Sequence, residues 1–125
     1  MRNTIALMNE FAAAFQFPID NFGDNWYALK DCLKYLDEWL PAKSYIVFIN
    51  YADQLLVDEN PDELKWLLLT LQELGRYWGQ PVTEQGRFNR EAVPFHTLFK
   101  CERENMLNTI KRFNEQSQDI IEITD

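Results

Sequence analysis

Several kinds of residue are scarce in this chain of 125 residues, and each scarcity removes a class of function. There are two cysteines, Cys32 and Cys101, too few for a disulfide framework and without the spacing of metal ligands. Both lie among apolar neighbours, which reads as buried free thiols. The one histidine, His96, sits in an apolar run. Base catalysis needs a partner or nucleophile within reach, and none is identifiable, so His96 reads as a core residue. Basic residues number 12 against 20 acidic ones, a formal net charge of −8. That balance argues against nucleic acid or an anionic membrane as the main ligand and admits a basic protein partner; solubility alone accounts for it equally well. No run of residues nears the roughly 20 apolar positions a membrane helix requires. Walker loops, Gly-rich dinucleotide turns, GxSxG and HExxH are all missing. The carboxylate pairs Asp37-Glu38 and Asp62-Glu63 read as helix-surface and first-turn charges. An enzyme is therefore not expected, nor any cofactor or metal.

What is present is apolar and aromatic. Hydrophobic residues make up 46% of the chain, with four Trp, five Tyr and nine Phe. This suffices for one packed domain over 1–125. No repeat, linker or low-complexity segment divides it.

Asn3 can cap a first helix whose apolar face is Ile5, Met8, Phe11, Ala12 and Phe15. Asn9 and Glu10 interrupt the apolar run, so this start reads as a structural helix rather than a signal peptide, and the protein as cytoplasmic. Phe17-Pro18 ends it. Asn25 caps a second helix running to Leu36 or Trp39, with Ala28, Leu29, Cys32, Leu33 and Leu36 inward. Its other face carries Tyr27, Lys30, Asp31 and Lys34. Ser44 to Tyr51 reads as a strand buried on both faces. Asn60-Pro61-Asp62-Glu63 opens a third helix with a capping box, and Leu64, Leu67, Leu68, Leu71 and Leu74 form its buried stripe to about Trp78. Gln80 to Val93 reads as a long loop carrying Arg87 and Arg90. Pro94 to Cys101 reads as a second strand, giving a right-handed βαβ unit. A helix over Glu102–Asn114, with Met106, Leu107, Ile110 and Phe113 inward, and a strand over Ile120–Thr124 complete the chain.

The turn and helix from Phe17 to Leu36 also carry a long motif of fixed spacing: Pro18, Phe22, Gly23, Asn25, Trp26, Ala28, Leu29, Asp31, Cys32 and Leu33. Gly23 supplies a backbone angle other residues resist. The motif resembles that of the barstar family, inhibitors of barnase-type secreted ribonucleases. The resemblance runs over about 3–101 and leaves 102–125 as an extension. It implies an α/β fold, a small parallel sheet of about three strands packed by helices. The family's first strand precedes the first helix and is missing here; the strand over Ile120–Thr124 is expected to fill the vacancy.

The resemblance further implies binding of a ribonuclease or ribonuclease-like toxin by a protein that is monomeric when free, with no direct contact to nucleic acid. Family members insert acids into the nuclease site in place of RNA phosphates. At the first acidic position this chain has Tyr27; at the second, Asp31 is kept. Lys30 stands where the best-known member has an aromatic, Asn21 replaces another aromatic, and Glu73 matches a later acid. The expected partner-binding residues are Asn21, Asp24, Tyr27, Lys30, Asp31 and Glu73, with Asp20 extending the negative patch. Tyr27 reads equally as a contact or as cover for the loop, and Trp26 as packed inward. The altered acids leave a second reading open, a barstar-like scaffold serving a partner that is not a nuclease.

Overall fold

The computed structural model describes residues 1–18, 25–83, 89–116 and 123–124. Helix α1 spans Thr4–Ala14. The Asn3 side chain accepts the Ala6 N–H at 2.8 Å, satisfying one orphan donor of the first turn. The helix closes through Gln16, whose φ of 54° is left-handed, as Phe17 N–H donates back to the Ala12 carbonyl at 2.9 Å. Leu7, Met8 and Phe11 are buried, while Ile5 is 68% exposed. The inward stripe is therefore rotated from the expected one: residues 7, 8, 11 and 15 share a face, and Ile5 falls off its edge.

Helix α2 spans Trp26–Lys34, shorter than expected; a separate turn of 3-10 helix, Leu36–Glu38, follows it. Strand β1, Tyr45–Ile49, leads through a 3-10 turn at Ala52–Gln54 to helix α3, Pro61–Trp78. All five leucines of the expected α3 stripe are buried, joined by Trp78. Strand β4, Phe95–Lys100, pairs parallel with β1 in the register Tyr45↔Phe95 to Ile49↔Phe99. Between α3 and β4, the expected loop contains a short antiparallel ladder, β2 (Val82–Thr83) with β3 (Asn89–Arg90). Helix α4, Met106–Gln116, follows a 3-10 turn, and β5, Ile123–Thr124, pairs parallel with β4. The parallel sheet thus has the order β1-β4-β5, with its third strand drawn from the C-terminal segment. The result is α/β, as the family resemblance implied.

Three expectations about burial are corrected. Strand β1 is packed on one face only: Tyr45, Val47 and Ile49 are buried, whereas Ile46 and Phe48 are 58% and 50% exposed. An apolar run cannot by itself distinguish one packed face from two. His96 has its neighbours' alternation and lies on the same open face, exposed rather than in the core. Leu107 is 82% exposed, because it stands about 120 degrees round α4 from the buried Phe113.

The core joins the packed face of β1 and β4 to α3, with Trp78, Tyr45 and Phe95 in ring contact and Phe99 edge-on to Phe113. Among the described residues, no helix is long and apolar enough to cross a membrane.

Candidate functional site

Helix α2 is held at both ends by indole nitrogens. At its start, Asn25 caps by accepting the Ala28 N–H at 2.8 Å, and Trp26 Nε1 donates to Glu63 Oε2 at 2.9 Å. Thr4 Oγ1 donates to the same carboxylate oxygen at 3.3 Å. Glu63 therefore ties the starts of α1, α2 and α3 together. The sequence places it to complete a capping box with Asn60; instead Asn60 Oδ1 accepts the Asp62 N–H at 2.9 Å, and the Glu63 N–H donates to the Asn60 backbone carbonyl at 2.9 Å. At the other end of α2, the buried Trp78 Nε1 donates to the Leu33 carbonyl at 3.0 Å. Leu29 and Leu33 fill the core below. A helix anchored in this way offers its outer face as a rigid platform, which lowers the entropy lost on docking.

That outer face carries Tyr27, 76% exposed, and the exposed Asp31 one turn later. Lys30 is drawn across to α3. Its Nζ lies 2.9 Å from Glu73 Oε2 and 5.8 Å from the centroid of the Tyr27 ring. The structure thus brings together three of the expected binding residues, Tyr27, Lys30 and Glu73. It does so in a way the sequence did not indicate: Lys30 neutralises Glu73 within the molecule. Asp31 is left as the exposed carboxylate of the described part of α2. Asn21 and Asp24, with Asp20, lie outside the described residues.

A hollow of about 300 Å³ opens between α2 and α3, floored by Leu69 and Thr70 and flanked by Tyr27, Lys30, Glu73 and Trp66. Trp66 is 47% exposed and was not among the expected site residues. Its signal was present in the spacing. Trp66, Leu69, Thr70 and Glu73 recur at i, i+3, i+4 and i+7, a second stripe on the side of α3 away from its leucines.

The titration of Cys32 reflects the same surroundings. Its thiol, half-buried and free, is pushed up from 9.0, first by burial and second by the Asp31 carboxylate. It stays protonated near neutrality, which disfavours nucleophilic chemistry.

The cations of the Gln80–Val93 segment are only partly described. Arg87 lies outside the described residues. Arg90 is committed to the fold: its guanidinium stacks 4.0 Å from the Trp78 ring and 5.0 Å from the Tyr77 ring, and donates to the carbonyls of Tyr77 and Trp78 at the end of α3. A cation there completes the helix terminus. Lys34 lies over the Tyr77 ring as well, at 5.0 Å.

A family model described as Barstar (barnase inhibitor) matches residues 1–100. No curated protein and no solved structure matches the chain.

Proposed function

The chain belongs to the barstar family, and from that premise we propose that it binds a ribonuclease, or a ribonuclease-like toxin, and occludes its active site without performing chemistry itself. The observation that carries the reading is the exposed Asp31 on a helix fixed at both ends, beside the exposed Tyr27. A nuclease must hold phosphate with basic side chains. A carboxylate on a rigid helix can take that place through charge-assisted hydrogen bonds. The formal charge of −8 favours encounter with a basic enzyme at long range. In this reading the protein acts in the cytoplasm of a bacterium as an immunity protein or antitoxin. Asp31 is the central contact, Tyr27 flanks it, and Asn21 and Asp24, outside the described residues, are further contacts.

The test is inhibition of RNA cleavage by a panel of small basic ribonucleases, including any encoded beside this gene, with Asp31→Ala in parallel. Removing one member of a hydrogen-bonded charge pair at an interface costs about 2–5 kcal/mol, so inhibition should weaken roughly 30-fold or more. Equal inhibition by parent and Asp31→Ala would dismiss Asp31 as the contact.

One observation favours a second reading, a barstar-like scaffold with a partner that is not a nuclease. Glu73 is neutralised by Lys30, and the hollow beside it is walled by the exposed rings of Tyr27 and Trp66. Such a surface suits an apolar anchor from a partner. Binding on those terms would change little with salt, whereas docking into a phosphate site would weaken steeply.

A further inference from the structure

The outer edge of β1 is a backbone edge of the parallel sheet that no described strand covers. The strand order is β1-β4-β5, and Tyr45 N–H donates inward to the Pro94 carbonyl at 2.8 Å. In a parallel ladder each residue directs its N–H and C=O to one side, and successive residues alternate. Tyr45, Val47 and Ile49 therefore serve β4, and the N–H and C=O groups of Ile46 and Phe48 face outward. Their side chains stand on the open face of the sheet, 58% and 50% exposed.

Two devices that usually blunt such an edge, charge and proline, are missing from the strand. From Ser44 to Ala52 there is no charged residue and no proline, within a chain of net charge −8. A groove of about 310 Å³ runs beside the strand, lined on its far side by Met1, Glu10, Ala14 and Phe15. It gives a second backbone room to approach.

We propose that this edge pairs with the same edge of a second copy of the chain, antiparallel about a twofold axis through Val47. The pattern of outward groups is its own complement in that register. Ile46 falls opposite Phe48 of the partner copy and Phe48 opposite its Ile46. Each pair exchanges both backbone hydrogen bonds, four in all. The isoleucine and phenylalanine side chains then meet on one face of a continuous six-stranded sheet. Charge selects this occupant. The 44–52 strip is where a molecule of net charge −8 can meet itself without setting like charges opposite one another within the paired strands. A two-strand contact of five residues buries less than the roughly 1,200 Å² of a standard interface, so the dimer is weak and the monomer dominates when dilute. Repulsion between the two net charges makes it stronger as salt rises, the opposite trend from docking into a phosphate site. The pairing stands independently of the ribonuclease reading.

The experiment is analytical ultracentrifugation of the full chain in reducing buffer across a hundredfold range of concentration at low and high salt, with amide exchange at the highest and lowest concentrations. The expected result is a weight-average mass rising from the monomer toward twice that value, more so at high salt. Slowed exchange at the Ile46 and Phe48 amides should accompany it. Phe48→Lys, and independently Ile46→Lys, should hold the protein at monomer mass with unchanged circular dichroism. A mass that stays monomeric throughout overturns the proposal. So does a dimer that survives both substitutions. Protection of the two amides at every concentration would assign the edge to a segment of the same chain instead. Protection only on mixing with another protein would assign it to that partner.

Discussion

Replacing Glu63 by Met tests how α2 is positioned, and the outcome can be worked from two distances. The Glu63 carboxylate accepts from Trp26 Nε1 at 2.9 Å and from Thr4 Oγ1 at 3.3 Å, and all three side chains are partly buried. A hydrogen bond to a charged group contributes about 1.5–3 kcal/mol. Partial solvent access and the longer second bond place Glu63→Met at about 2 kcal/mol of lost stability. Trp26→Phe removes the same indole bond together with some apolar area, for about 1.5–2.5 kcal/mol. In the double variant the shared bond is lost once, so the cycle should show a coupling of about 1–2 kcal/mol. Urea unfolding followed by far-ultraviolet circular dichroism measures all four corners. A capping box within α3 makes no use of Trp26, 37 residues away in sequence. Additive losses, with a coupling below about 0.3 kcal/mol, would refute the tie between α2 and α3.

Trp78→Phe should cost about 2–4 kcal/mol in the same assay, since it leaves the buried Leu33 carbonyl unpaired, opens a void and removes the indole beneath Arg90. Trp66→Phe on the surface should stay within about 0.5 kcal/mol, and similar losses for the two would contradict the packing described. Lys30→Met should alter stability by less than about 1 kcal/mol, because the Lys30–Glu73 pair is partly exposed. Calorimetric titration should nevertheless show it binding more tightly, by roughly 5- to 30-fold, to any basic ribonuclease the parent inhibits, as Glu73 is released; unchanged affinity would remove Glu73 from the interface. Alkaline stability follows from two acids pushed up in the fold: Cys32 from 9.0 by burial and then Asp31, and Tyr45 from 10.0 by burial and then Asp37. The unfolded chain releases these protons at lower pH and so binds fewer of them, and stability falls as pH rises through 9.0 and 10.0. A pH series of urea midpoints should show this decline, reduced in Cys32→Ala; a rise over that range would reverse the sign argued.

The sequence by itself determined the local features. Asn3, Asn25 and Asn60 cap the three helices they were expected to cap, because a cap is a contact between residues two or three apart. The α3 leucine stripe and the parallel pairing of β1 with β4 followed from periodicity and from a helical crossover. The turn and helix motif around Asn25 and Asp31 was enough to suggest the barstar family and with it the fold. Exposure of Asp31 and Tyr27 was legible too, since both sit off the apolar stripe of α2.

Tertiary structure decided whatever depended on residues distant in the chain. Whether Ile46, Phe48 and His96 are covered depends on what packs against the sheet, and an apolar run carries no record of that. Glu63, a capping residue by its place in the sequence, is the joint of three helices, because the fold brings Trp26 and Thr4 within hydrogen-bond distance of its carboxylate. The charge of the candidate site was settled in the same way. Glu73 is an acid in the sequence, but Lys30, 43 residues away, cancels it across the α2–α3 contact. Electrostatic fields add over space rather than along the chain, so only the folded arrangement determines which carboxylate remains for a partner.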